Sequence, residues 1–153
     1  MRFLPLALML LSAPAWAADC SAEAKVAVGF MNQYLVYTQA VMAKRSKQST
    51  ESWLKSNKLV SPSFVVAYKG KVKEGLEQDS ELGWDADIIL DAQDSPEKGF
   101  RLFKCGSTAG FVQLQGIDWP EFKVTVRVAK TPQGLRVVGA GIVNVPSSEQ
   151  AQR

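Results

Sequence analysis

The chain has 153 residues, of which 18 are Lys or Arg, 15 are Asp or Glu and none is His. The length suits one domain with a substantial hydrophobic core, and a modest net charge of +3 does not favour nucleic acid as a partner. The lack of histidine excludes Ser-His-Asp and Cys-His catalysis and histidine-ligated zinc or copper, which leaves carboxylates, tyrosines, lysines and hydroxyls for any chemistry.

The first 17 residues are typical of a secretory signal peptide. Arg2 supplies the positive start, Phe3 to Leu11 is an apolar run, and Ala15-Trp16-Ala17 is a small-x-small cleavage site. The apolar run is too short to span a bilayer, and Asp19 stands before Cys20 where a lipoprotein would have a small residue. We therefore predict cleavage near Ala17 and a periplasmic or secreted protein without a membrane anchor.

Two cysteines follow the predicted cleavage site, Cys20 and Cys105. In an oxidising compartment the default for such a pair is a disulfide bond. The bond would tie the mature N-terminus to a strand in the second half of the chain. Closing so long a loop stabilises a fold by about 4 kcal/mol in the chain-entropy model.

The first half of the mature chain has the pattern of helices. Apolar residues recur at steps of three and four from Ser21, the predicted N-cap, to about Ala43. Ser61 followed by Pro62 begins a second long helix that runs to about residue 77, because a capping hydroxyl and a proline at the first position favour a helix start. Between them, Thr50 to Ser56 can form a short helix.

An acidic segment separates the helices from the second half. Residues 77–97 contain eight Asp or Glu and no Lys or Arg, whereas the chain is basic on both sides. A charge distribution of this kind can steer a cationic partner. The candidate binding residues lie at the centre of this segment and are Trp84, Asp85, Asp87, Asp91, Gln93 and Asp94.

The same residues also have a structural interpretation. Ile88 to Leu90 is an apolar run that we expect to be buried between helices and sheet. Asp87, Asp91 and Asp94 would then cap backbone N–H groups beside it, as Asp does in turns. A solvated acidic loop is the simplest alternative. The aspartates lack the spacing of an EF-hand, so no metal site is predicted and only an irregular calcium site stays open.

Beyond the acidic segment the hydrophobic period changes from helical to alternating. It predicts four strands, which are Phe100 to Cys105, Ala109 to Gly116, Phe122 to Ala129 and Leu135 to Val145. Turn residues between them favour antiparallel pairing of neighbours. Gly139 and Gly141 predict a bulge or bend in the last strand. The polar residues from Ser147 to Arg153 predict a disordered tail.

Two long helices and a short one, followed by a four-stranded antiparallel sheet, predict a single two-layer α+β domain over residues 18–146. This order resembles the cone-shaped, cystatin-like fold of the nuclear transport factor and ketosteroid isomerase superfamily, which implies a curved sheet around a concavity. The run Trp84-Asp85-Ala86-Asp87-Ile88-Ile89-Leu90 with Gln93-Asp94-Ser95-Pro96 is also similar to the signature of a family of small exported bacterial proteins and lipoproteins of unknown function. Neither resemblance assigns a catalytic residue here.

These observations favour a binding protein over an enzyme. We expect a non-enzymatic periplasmic protein, without a cofactor, that binds a small ligand, peptide or protein in the sheet concavity or on the acidic segment, where the charge favours a cationic partner. An inhibitor or immunity-type protein for a basic cell-wall hydrolase is one candidate. The alternative is a carboxylate-dependent isomerase or hydrolase with its pocket inside the cone, lined by Tyr34, Tyr37 and Tyr68.

Overall fold

The computed structural model describes residues 19–151, so the predicted signal peptide and its cleavage site near Ala17 lie outside the described residues. The described chain folds as three helices followed by four strands. The helices are α1 (Ser21–Met42), α2 (Thr50–Ser56) and α3 (Pro62–Gln78), and the strands are β1 (Phe100–Cys105), β2 (Phe111–Gly116), β3 (Lys123–Thr131) and β4 (Gly134–Ala140). The predicted α+β class is confirmed. Between residues 19 and 151, none of the helices combines the length and apolar character that a membrane span requires.

Helix α1 lies across the whole sheet and contacts all four strands. Its buried residues, Ala27, Phe30 and Tyr34 among them, follow the helical spacing seen in the sequence. The helix begins one residue earlier than predicted, because the N-cap position is Cys20 and Ser21 is the first helical residue. The side chain of Asp19 accepts a hydrogen bond from the Ser21 N–H at 3.0 Å. Asp19, one residue before the N-cap, therefore provides the side-chain capping hydrogen bond expected from Ser21.

Helices α2 and α3 begin where the sequence predicts. Ser49 accepts the N–H of Ser52, and Ser61 accepts the N–H of Phe64, so each helix has a hydroxyl cap. The connection between the two helices pairs with the outer strand of the sheet. Its Leu59 carbonyl accepts the N–H of Val137 at 2.7 Å, which fixes the helices against β4.

The sheet has the order β1-β2-β3-β4, with every neighbouring pair antiparallel, as predicted. The face towards α1 is apolar and includes Val112, Leu114, Val124, Val126 and Val128, all buried. Register shifts occur in β1 and between β3 and β4. The core lies between this face and the helices and is filled by large side chains, which are Phe30, Met31, Leu54, Phe64, Ile89, Phe100 and Leu114. That the sheet closes into a cone stays a prediction.

Strand β4 ends at Ala140, five residues before its predicted end at Val145. Gly141 has a φ of 59°, and a Cβ there would run into the backbone carbonyls of Ile88 and Ile89. The next N–H, of Ile142, donates to the Ile88 carbonyl at 3.0 Å. The chain therefore turns at the predicted glycine bend and packs against the acidic segment instead of continuing the sheet.

Cys20 and Cys105 form a disulfide bond, as predicted, with their Cα atoms 5.8 Å apart. It joins the start of α1 to the end of β1. The bond therefore holds the N-terminal end of α1 against the sheet that this helix covers.

The predicted disordered tail is wrong for residues 147–151. Glu149 is 6% exposed, and its carboxylate accepts the hydroxyl of Ser107 at 2.6 Å. The buried hydroxyl of Thr125 donates to the Glu149 backbone carbonyl at 2.6 Å. Hydrogen bonds from Ser107 and then Thr108 hold the pKa of the Glu149 carboxyl below its ordinary value. The tail binds the sheet through these polar groups, which a composition argument treats as disorder-promoting.

Candidate functional site

The acidic segment contains a buried turn. Ile88, Ile89 and Leu90 are 7%, 0% and 4% exposed, in agreement with the expectation that this run is buried. Paired backbone hydrogen bonds between Asp87 and Ala92, at 3.0 and 3.2 Å, close the turn. The apolar run therefore attaches the acidic segment to the core, and the acids are arranged around it.

The Asp87 carboxylate accepts three hydrogen bonds. Its Oδ1 accepts the backbone N–H groups of Ile89 and Leu90 at 2.8 and 2.9 Å, which is the capping role expected for an aspartate here. Its Oδ2 accepts the phenolic O–H of Tyr34 on α1 at 2.7 Å. These three hydrogen bonds fix the carboxylate between the turn and the long helix.

The Tyr34 ring packs in an aromatic cluster, which fixes the position of its hydroxyl group. Its ring centroid lies 5.4 Å from that of Trp53 and 5.8 Å from that of Tyr37, and the residue is 2% exposed. Burial, followed by the negative charge of Asp87, raises the pKa of the Tyr34 phenol far above its ordinary value. Tyr34 therefore remains a hydrogen-bond donor to Asp87 throughout the physiological pH range.

A pocket of about 210 Å³ lies beside this pair. It is smaller than the ~300–1,000 Å³ typical of drug-sized ligands, so it suits a small group. The described residues that line it come from the helices and the acidic segment and from no strand: Tyr34, Thr50, Tyr68, Val72, Leu76, Leu82, Gly83, Trp84, Ala86, Asp87 and Ile88. The pocket is therefore separate from the sheet surface that the resemblance to cone-shaped folds indicated.

The pocket has a polar side and an apolar side. Its polar lining residues are Asp87 and the hydroxyl-bearing Tyr34, Thr50 and Tyr68. Burial raises the pKa of the Tyr68 phenol, and a hydrogen bond with Thr50 opposes this rise. Leu76 and Leu82 are 46% and 72% exposed and mark the side that faces solvent. A group that enters between the leucines would meet the carboxylate and the hydroxyls.

A wider groove of about 760 Å³ lies on the other side of Asp87. Tyr34, Thr50 and Asp87 line both spaces. The further residues of the groove come from the second half of α1 and from the acidic segment: Tyr37, Thr38, Gln39, Val41, Met42, Leu90, Gln93, Asp94, Ser95, Pro96 and Glu97. Asp87 is thus the acid that the pocket and the groove share.

The six predicted binding residues do not form one site. Asp87 lines both spaces, Trp84 lines only the pocket, and Gln93 and Asp94 line only the groove. Asp85 is exposed and lines neither space, although its backbone carbonyl accepts the Gln93 amide at 3.3 Å. Asp91, the sixth of these residues, is half-buried in the turn and has a φ of 54°.

Trp84 has a structural role as well as a place in the pocket wall. Its indole N–H donates to the Lys71 carbonyl at 2.6 Å, and its ring packs on Gly75, where there is no room for a Cβ. Lys71 places its ammonium 5.0 Å from the ring centroid and forms an ion pair with Glu74. The indole is therefore held by α3, and its polar atom is not available to a partner.

Sequence reasoning missed part of the pocket. The sequence connects Tyr34 and Tyr68 with a cavity only in the isomerase alternative, and Thr50 only with the short helix. They line the pocket because α1, α2 and α3 all pack against the acidic segment, and no local sequence pattern predicts that packing. The helical spacing that buries Tyr34 was the one signal available.

The acidic segment has little internal charge compensation. Within residues 19–151, Asp85, Asp87, Asp94 and Glu97 make no ion pair, whereas Glu77 lies 3.6 Å from Lys73. In the same part of the chain no three Asp, Glu or Cys side chains are close enough to hold a metal ion. The arrangement suits an interaction with an external cationic group.

The fold and the site together define a small α+β domain with a tyrosine–aspartate pocket beneath an acidic segment. Comparison of the chain with known protein families, with curated proteins and with solved structures finds no match.

Proposed function

We propose that this protein is a non-enzymatic interaction protein of the periplasm or extracellular space that binds a cationic partner through its acidic segment. One observation carries the proposal. Asp87 is a half-buried carboxylate at the junction of the pocket and the groove, and within residues 19–151 it has no cationic partner. A partly desolvated charge is stabilised by an opposite charge, which a partner can provide.

The exposed acids around Asp87 support the same proposal. Asp94 and Glu97 line the groove, and Asp85 lies on the neighbouring surface. Carboxylates of this kind raise the association rate of a basic partner and contribute less to the final affinity than a desolvated pair. Val41 and Met42, which are 38% and 74% exposed, give the groove an apolar wall for side chains of the partner.

Two further features support export and suggest a class of partner. The disulfide between Cys20 and Cys105 is typical of proteins in oxidising compartments, and the first 17 residues have the signal-peptide pattern. In that environment a basic enzyme that acts on the cell envelope is a fitting partner. The protein would then act as an inhibitor or immunity-type protein.

The test uses the mature chain and a panel of purified basic cell-wall hydrolases. Binding is measured by biolayer interferometry at low and moderate salt, and inhibition is measured as the rate of peptidoglycan hydrolysis. Asp94→Asn and Asp85→Asn should slow association and reduce its salt dependence, whereas Glu121→Gln, which removes an exposed carboxylate far along the chain, should not. An equal effect of all three variants, or no binding to any basic enzyme, would overturn the proposal.

A carboxylate-dependent isomerase or hydrolase is the second candidate, and the 2.7 Å contact between Tyr34 and Asp87 favours it. Two points argue against it. Three hydrogen bonds already occupy most of the roughly four acceptor positions of the Asp87 carboxylate, and the Tyr34 proton is directed at Asp87. A substrate whose turnover is abolished by Asp87→Asn while its binding is retained would establish the enzyme instead.

A further inference from the structure

We propose that the pocket between α3 and the acidic segment receives one lysine side chain of the protein partner, whose ammonium group pairs with Asp87. The inference rests on the proposed function, because it specifies which group of the cationic partner is recognised. It starts from the pocket itself, whose lining residues supply one carboxylate, three hydroxyl groups and an apolar wall around about 210 Å³.

The polar side of the pocket matches the donors of an ammonium group. Asp87 has about four acceptor positions and uses three of them within the chain, so one remains. Thr50 and Tyr68, which also line the pocket, each carry a hydroxyl oxygen, and the Thr50 oxygen lies 3.2 Å from the hydroxyl of Tyr37. The third hydroxyl-bearing residue, Tyr34, is already paired with Asp87. Three oxygens correspond to the three N–H donors of a lysine, whereas five guanidinium donors of an arginine would leave some unpaired.

The apolar side suits the methylene stem of a lysine. Val72, Leu76, Leu82 and Ile88 line the pocket together with the Trp84 ring. Lysine side chains bury their stems along apolar surface and place the charged end in a polar environment. Aromatic rings such as those of Tyr68 and Trp84 add favourable contacts with a cation.

Lys71, which precedes the pocket residue Val72 in the sequence, does not fill this role. Lys71 lies over the Trp84 ring, but its ammonium binds both carboxylate oxygens of Glu74, at 2.9 and 3.0 Å. No ion pair within residues 19–151 involves Asp87. The pairing partner for Asp87 is therefore expected from another molecule.

The test is an NMR titration of the full mature chain with n-butylammonium, which reproduces the head and stem of lysine. We expect shifts of the Trp84 indole and the Asp87 amide, and none with n-butanol. Asp87→Asn keeps an oxygen for Ile89 and Leu90 but removes the charge, and should weaken binding about tenfold. Tyr68→Phe keeps the ring and should weaken binding about threefold, whereas Glu121→Gln should leave it unchanged.

Further arms identify the source of the amine. A capped Gly-Lys-Gly peptide should bind in the same pocket, and Gly-Arg-Gly should bind more weakly. Binding of spermidine without binding of the lysine peptide would overturn the assignment to a protein partner, and equal binding of the arginine peptide would overturn the preference for lysine. If n-butylammonium caused no shifts in a chain that still binds a basic hydrolase, the lysine pocket would be refuted and the proposed function would stand. Shifts in a chain that binds no such enzyme would refute the proposed function alone.

Discussion

Replacement of Asp87 by alanine tests how far one acid holds the acidic segment in place. The substitution removes the acceptors of three hydrogen bonds at once, from Tyr34 and from the N–H groups of Ile89 and Leu90. A buried donor without a partner costs about 1–3 kcal/mol. Tyr34, Ile89 and Leu90 are 2%, 0% and 4% exposed, so all three donors lose their partner in a buried part of the protein. We expect the free energy of unfolding to fall by about 3 kcal/mol.

The measurement is urea unfolding followed by far-UV circular dichroism, with the disulfide intact. Asp87→Asn keeps an acceptor for the turn and should cost about 1 kcal/mol. The matched control is Asp94→Ala, since the exposed carboxylate of Asp94 makes no hydrogen bond within residues 19–151, and its effect should stay within about 0.5 kcal/mol. In a double-mutant cycle, Tyr34→Phe should couple to Asp87→Ala by about 1–3 kcal/mol. If Asp87→Ala were as harmless as Asp94→Ala, the anchoring role would be refuted.

Three further outcomes follow from contacts elsewhere. Gly75→Ala on α3 should destabilise the protein by about 1–3 kcal/mol, because its Cβ would meet the Trp84 indole ring. Gly70→Ala, in open space on the same helix, should stabilise it by up to about 1 kcal/mol, and matching urea midpoints for the two variants would contradict this. Glu149→Gln should lower the melting temperature at pH 7, and this difference should shrink as the pH falls below the ordinary Glu pKa of 4.5 and through the depressed pKa of Glu149, because the carboxylate's contribution to stability is lost when it is protonated. A difference that persists unchanged in strong acid would argue against this. Replacing both Cys20 and Cys105 by serine should cost up to about 4 kcal/mol in the same urea assay, and a loss under about 1 kcal/mol would remove the proposed contribution of the closed loop.

Features that depend on neighbouring residues could be predicted from the sequence. The bounds of α2 and β1 agree with the prediction, and Ser61-Pro62 begins α3 because caps and proline act within one helical turn. Of the features that depend on distant residues, the disulfide could be predicted, but the end of β4 could not. The early end of β4 at Ala140 follows from the contact of Gly141 with the Ile88 backbone, more than fifty positions earlier in the chain.

The candidate site shows the same division. Composition indicates where the acidic segment and its apolar run lie. A count of charge cannot distinguish one acid of the segment from another. The structure distinguishes Asp87, which turns inwards to Tyr34, from Asp85 and Asp94, which face solvent. That distinction depends on a hydrogen bond between residues 53 positions apart, and no periodicity in either stretch encodes it.

The hydrogen bond from the Ile142 N–H to the Ile88 carbonyl makes Ile142 a spectroscopic reporter. Ile88 lines the pocket, whereas Ile142 lies just beyond β4 and does not line it. A displacement of the turn by even a few tenths of an ångström would change the length of this 3.0 Å bond. The chemical shift and exchange rate of one backbone amide at the end of the sheet would then record whether the pocket is occupied.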